Sequence, residues 1–138
     1  MRSIVLMALA LLVAAIVAAP LVAEASTAAA VPLYTAFSWV CHQRPQRTWH
    51  LGAYPLAVCV RCLGIYTGAL AGAVSGLRFS QPLWASSMAL LGVEWLAEAL
   101  GGHAAPALVR FAVGAVAGFF LIPALWGNTA SIPSVVKG

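Results

Sequence analysis

The sequence predicts an all-α integral membrane protein, a four-helix bundle with a short interfacial helix and a cysteine-rich loop, in a single domain of 138 residues. Three observations lead there. The chain is 63% hydrophobic and 7% charged, far outside the range of soluble globular proteins. It divides into four apolar segments at about 3–23, 60–77, 82–100 and 107–126, each near the ~20 residues that cross a hydrocarbon core. Glycines recur at every fourth position at Gly64, Gly68, Gly72 and Gly76, and again at Gly114 and Gly118. Such stripes let helices approach backbone to backbone in a bilayer.

Taken in order, Ser3 to Ala23 follows Arg2 and reads as the first span, although Ala23-Glu24-Ala25 before Ser26 also has the small-x-small form of a signal-peptide cleavage site. Ser26 to Val40 is too polar and too short to span. With Tyr34, Phe37 and Trp39 it suits the headgroup level and delivers Cys41 to the membrane surface. Pro45 and Pro55 break regular structure, so residues 42–57 read as a loop, with Trp49 and Tyr54 as interfacial anchors. The glycine-striped second span starts near Val58 to Cys62. A turn over Arg78 to Gln81 leads to the third, His103 lies in a solvated Gly-rich connection, and a solvated tail runs from Gly127 to Gly138. The glycine faces are expected to pack the bundle and to offer docking faces for other membrane subunits.

All three cysteines, two of the three histidines and three of the seven basic residues fall within residues 41–66 of this apolar chain. A Cys-x2-Cys pair, Cys59 and Cys62, with a third thiol at Cys41 and a nearby His supplies the four N/S ligands of a tetrahedral zinc-type site. The same spacing serves thiol redox pairs, and free cysteine is also a common buried apolar residue. Cys59 and Cys62 begin a helix, where orphan N–H groups and the positive dipole end favour thiolates, with Arg61 beside them. A redox pair needs two thiols; a closed shell needs more. The expected ligands are therefore Cys41, His42, Cys59 and Cys62, with His50 as substitute for His42 and zinc or a similar divalent ion as the metal.

Glu94 and Glu98 stand one turn apart on one face of the third span, about 6 Å along its axis. Arg110 lies one turn into the fourth span, at the depth of Glu98. A charge near the bilayer centre costs at least about 2.5 kcal/mol, so Glu98 is expected to pair with Arg110. Glu94 has no evident partner and is the candidate proton-carrying or quinone-contacting group. Arg44, Arg47 and Arg61 are expected to meet lipid phosphate or an anionic ligand, or simply to snorkel to the headgroups.

The strings Cys41-His42-Gln43-Arg44-Pro45-Gln46-Arg47 and Val58-Cys59-Val60-Arg61-Cys62-Leu63-Gly64-Ile65-Tyr66 resemble the signature of DUF2085, a family of small bacterial and archaeal membrane proteins. The likeness covers Tyr34 to Gly72 and continues more loosely through Arg110-Phe111 to Gly114. It implies a multi-helix membrane protein and locates the site, without an activity to carry over. The Asp-Gly of the family's third apolar segment is replaced here by Gly92-Val93-Glu94.

The net charge of +4 comes from scattered residues with no basic run, which argues against nucleic acid and against a polybasic lipid-binding cluster. The functional expectation is a binding or accessory component of the plasma membrane, more a non-enzyme than an enzyme, with a structural metal site at the interface. The rivals are a thiol oxidoreductase using Cys59 and Cys62, with Cys41 as resolving thiol and quinone near Glu94, and an accessory subunit of a respiratory or photosynthetic complex. Arg2, Arg78 and Lys137 on one side against Arg44, Arg47, Arg61 and Arg110 on the other leave the positive-inside rule undecided. The anchor-like first helix points to cytoplasmic termini and an external cysteine loop.

Overall fold

The structure, a computed structural model, describes residues 2–77, 81–101 and 105–129, with side chains described up to Leu125. Arg78, His103, Lys137 and the tail beyond Thr129 lie outside the described residues. The described residues form five α-helices: α1 (Arg2–Ala25), α2 (Thr27–Ser38), α3 (Val60–Ser75), α4 (Gln81–Ala99) and α5 (Ala107–Thr129). Between α2 and α3 run a 3-10 turn at Pro45–Arg47 and a small antiparallel hairpin of β1 (His50–Leu51) and β2 (Tyr54–Pro55), with Leu51 opposite Tyr54.

Two of these helices are long and apolar enough to cross a membrane by length and composition: α1, with 24 residues and mean hydropathy 2.9, and Ala107–Leu125 of α5, with 19 residues and mean hydropathy 2.1. The glycine-striped second span, α3, is shorter than the sequence suggests. Cys59 sits in extended conformation as its N-cap and Gly76 ends it with φ of +64°, leaving 16 helical residues, about 24 Å of rise. At the other end of the chain α5 continues past Trp126 to Thr129.

Helix pairing follows the glycines. A Cβ on Gly64, Gly68 or Gly72 would overlap the backbone at Phe111, Ala115 or Phe119, and one on Gly114 or Gly118 would overlap the backbone at Arg61 or Ile65. The positions rise together along both helices, so α3 and α5 run parallel and each sinks its glycines into the other. These five glycines are thus used within the chain, while Gly76 serves as the helix cap and meets Arg2 instead. Gly68→Ala is expected to lower stability by roughly 1–3 kcal/mol, because backbone atoms cannot swing aside as a side chain would. Unfolding in detergent checks this, and an unchanged midpoint would place that stripe outside the interface.

The N-terminal end of α1 meets the C-terminal end of α3, where Arg2 donates to the carbonyls of Ala73 (3.3 Å) and Val74 (3.2 Å). The opposite end of α1 meets the hairpin, where Glu24 accepts from the Ala53 N–H at 3.4 Å. The cysteine loop therefore caps the bundle end remote from the N-terminus. Ser26 N-caps α2 by accepting from the Ala29 N–H, 3.3 Å away. Ile16 and Ala19 of α1 join Phe37, Cys41, Leu56, Ala57, Val58 and Leu63 in one buried cluster, which seats the loop on the helices. Trp49, half-buried, packs its ring against that of Phe111, centroids 5.3 Å apart. Trp39 remains 87% exposed.

Candidate metal centre and its arginine cavity

Cys41 leaves the end of α2, while Cys59 and Cys62 sit at the N-cap and first turn of α3. Their three sulfurs lie within 4.8 Å of one another, and all three are free thiols. Apolar residues on both sides bury the backbone that carries them: Ala57 and Val58 are fully buried and Cys41 is 6% exposed. The Cys59 N–H donates to Cys41 Sγ at 3.2 Å, which steadies a thiolate there. Hydrogen bonds from the Cys59 and Cys62 side chains hold the Cys41 thiol far below its ordinary range, against the opposing effect of burial.

What brings the two segments together is Gln43, whose role sequence reasoning missed. Its side-chain amide donates one hydrogen to the Tyr34 carbonyl (2.7 Å) and one to the Ala57 carbonyl (2.8 Å). A single side chain thereby staples α2 to the segment that enters α3, two residues before Cys59. Its backbone stands at φ of +45°, a conformation that is uncommon outside glycine and held here by the staple. Tyr34 adds a second tie by donating its hydroxyl to the Pro55 carbonyl. Gln43 lies inside the cysteine motif, so its presence was visible, but neither its φ nor its two acceptors leave a mark in the sequence.

The thiols form one side of a cavity of about 530 Å³. His42, Arg44, Arg47, Arg61, Glu98 and Arg110 line it as well. His42 is exposed at this cavity and outside the close group of sulfurs; His50 is exposed on β1 and does not line the cavity. The structure thus brings three of the expected ligands together and leaves the two histidines apart from them.

Across the cavity the buried charges form one network. Glu98 receives Arg47 at 2.6 Å, Arg61 at 2.9 Å and Arg110 at 2.8 Å. The expected Glu98–Arg110 pair is present, and two further arginines share the same carboxylate. Glu94, expected to lack a partner, lies 2.6 Å from Arg61 and 3.9 Å from Arg110. Glu94 thus belongs to the same network, while Glu98, which meets three guanidiniums, is its centre. Arg47 and Arg61, expected to meet lipid phosphate or an anionic ligand, also reach these carboxylates. The loop folds over the bundle end and α3 packs against α5, which turns both guanidiniums towards α4.

Comparison with known sequences agrees with this picture at the level of family. A protein of Methanocaldococcus jannaschii described as uncharacterized is 34% identical over 100 residues, covering 65% of this chain and 64% of the relative. A second uncharacterized protein, from Methanothermobacter thermautotrophicus, is 46% identical over 33 residues, 24% of this chain and 30% of the relative. The chain thus spans less than two thirds of the length of these curated relatives. No solved structure matches. The profile of the family described as "Predicted membrane protein (DUF2085)" matches residues 41–123, from the first cysteine of the cluster to Pro123 in α5, and the chain belongs to that family.

Proposed function

We propose that the chain is a multi-pass protein of the plasma membrane, crossing it with α1, α3, α4 and α5, in which Cys41, Cys59 and Cys62 hold a zinc-type divalent metal at the membrane surface. His42 lines the same cavity next to Cys41 and is the protein group placed to turn in as fourth ligand. The metal clamps the loop to the start of α3, and the protein serves as a binding or accessory component of the membrane. The observation that carries this reading is the convergence of three free thiols within 4.8 Å from segments 18 residues apart, with a backbone N–H already directed at one sulfur. Thiolates gathered this closely repel one another unless a cation or protons stand between them.

Elemental analysis of the purified protein, with thiol titration on the same sample, tests the proposal. One bound metal per chain and thiols that react only after chelation are expected. Metal-free protein carrying a reducible disulfide would overturn it and favour a thiol oxidoreductase built on Cys59 and Cys62.

A further inference from the structure

We infer that the cavity beside the cysteine cluster is a binding site for a phosphate-type oxyanion, seated by Arg44, Arg47 and Arg61. The inference rests on charge and shape and does not depend on a metal being bound. Four guanidiniums, those of Arg44, Arg47, Arg61 and Arg110, line the cavity, and the carboxylates that meet them are Glu94 and Glu98. The site therefore carries an excess of two positive charges. Three thiolates around a divalent ion would subtract one and still leave an excess.

The excess lies on the open side of the cavity, on the exposed Arg44 and the part-exposed Arg47, where an incoming anion can reach it. Arg44 supplies the opening: it is exposed, lines the cavity and makes no ion pair among the described residues. Arg47 is about one third exposed and Arg61 about one sixth, so both reach the cavity while Glu98 holds them in place. Planar guanidinium forks pre-set in this way match the paired oxygens of phosphate. The volume of about 530 Å³ is in the range of small-ligand sites and exceeds what one water-filled gap needs.

The mouth indicates where the oxyanion comes from. Trp95 is 58% exposed and Val40 is 59% exposed, and both line the cavity. An outward tryptophan beside arginines is the combination found at headgroup depth. A phospholipid phosphate and a free phosphate present the same chemistry to these arginines, and the two differ in whether acyl chains are needed.

Protein purified in detergent with its native metal content is titrated with inorganic phosphate and, separately, with short-chain phosphatidylglycerol, using sodium chloride at matched ionic strength as control. Binding is read by calorimetry and by the shift in unfolding temperature. Saturable binding of either probe to the wild type supports the site. Response to the lipid alone identifies a headgroup site, and response to both identifies a site for small oxyanions. Arg44→Gln, which breaks no ion pair, is expected to weaken binding roughly ten-fold, as loss of one charge-assisted contact does. Arg47→Gln is the second variant. A wild type that responds to neither probe beyond the chloride control, or both variants binding as tightly as wild type, overturns the inference.

Discussion

Replacing Cys59 or Cys62 by serine is expected to release the bound metal and lower the unfolding temperature in the same sample. Both effects follow from one cause. The three sulfurs come from two segments joined by a loop, so a metal holding them is also a cross-link of the fold. Structural zinc sites contribute about 10–16 kcal/mol of binding free energy in isolated fingers, and part of this is folding free energy. The α3–α5 contact is made by the glycines along those helices and not by the thiols, so a fall in the midpoint on the order of 10 °C is expected, as for a loss of a few kcal/mol. Cys41→Ser should match it, because Cys41 is the third sulfur of the group. Full metal content in the Cys59 and Cys62 variants would remove them from the ligand set.

Glu98→Ala is the second large effect expected, and it should exceed that of Glu94→Ala. Glu98 lies within 2.9 Å of three arginines, and its side chain is 8% exposed. Removing one partner from a buried ion network typically costs about 3–5 kcal/mol, because the remaining charges stay behind unpaired. Glu94→Ala leaves both Arg61 and Arg110 paired with Glu98. Unfolding of both variants in one detergent measures the order. Equal losses, or a larger loss for Glu94→Ala, would contradict the assignment of Glu98 as the centre of the network.

The parts of the site that sequence could show are those encoded by spacing. Cys59 and Cys62 stand a helical turn apart, and the glycines every fourth residue define a face that must lie against something. Glu98 and Arg110 were legible as a pair because each is an expensive charge in an apolar segment at similar depth. The rest depends on chain reversals. Arg61 reaches Glu94 because α3 and α4 both pack against α5, and Arg47 reaches Glu98 because the loop folds across the bundle. Nothing in the local pattern of residues 42–57 distinguishes a loop lying in the headgroups from one seated on Ile16 and Phe37. The sites of His42 and His50 were equally open to sequence, since adjacency to Cys41 says nothing about which way an imidazole turns. The glycine faces, read as possible docking surfaces for other subunits, are occupied by each other.

The thin packing of α4 has its own consequence. Among its described residues only Ser87 is buried, whereas α3 and α5 are joined along their length by backbone contact. Hydrocarbon solvates an apolar helix face as well as another helix does, so in a bilayer apolar contact contributes little to holding α4 in place. Its strongest described attachment is that of Glu94 and Glu98 to the guanidiniums of the loop, α3 and α5. That attraction scales inversely with the local dielectric constant, which changes several-fold between a dry and a water-filled cleft. The cohesion of α4 with the rest of the protein is therefore set by how much water the cavity admits, and the wetting of that one space governs the mechanical unity of the bundle.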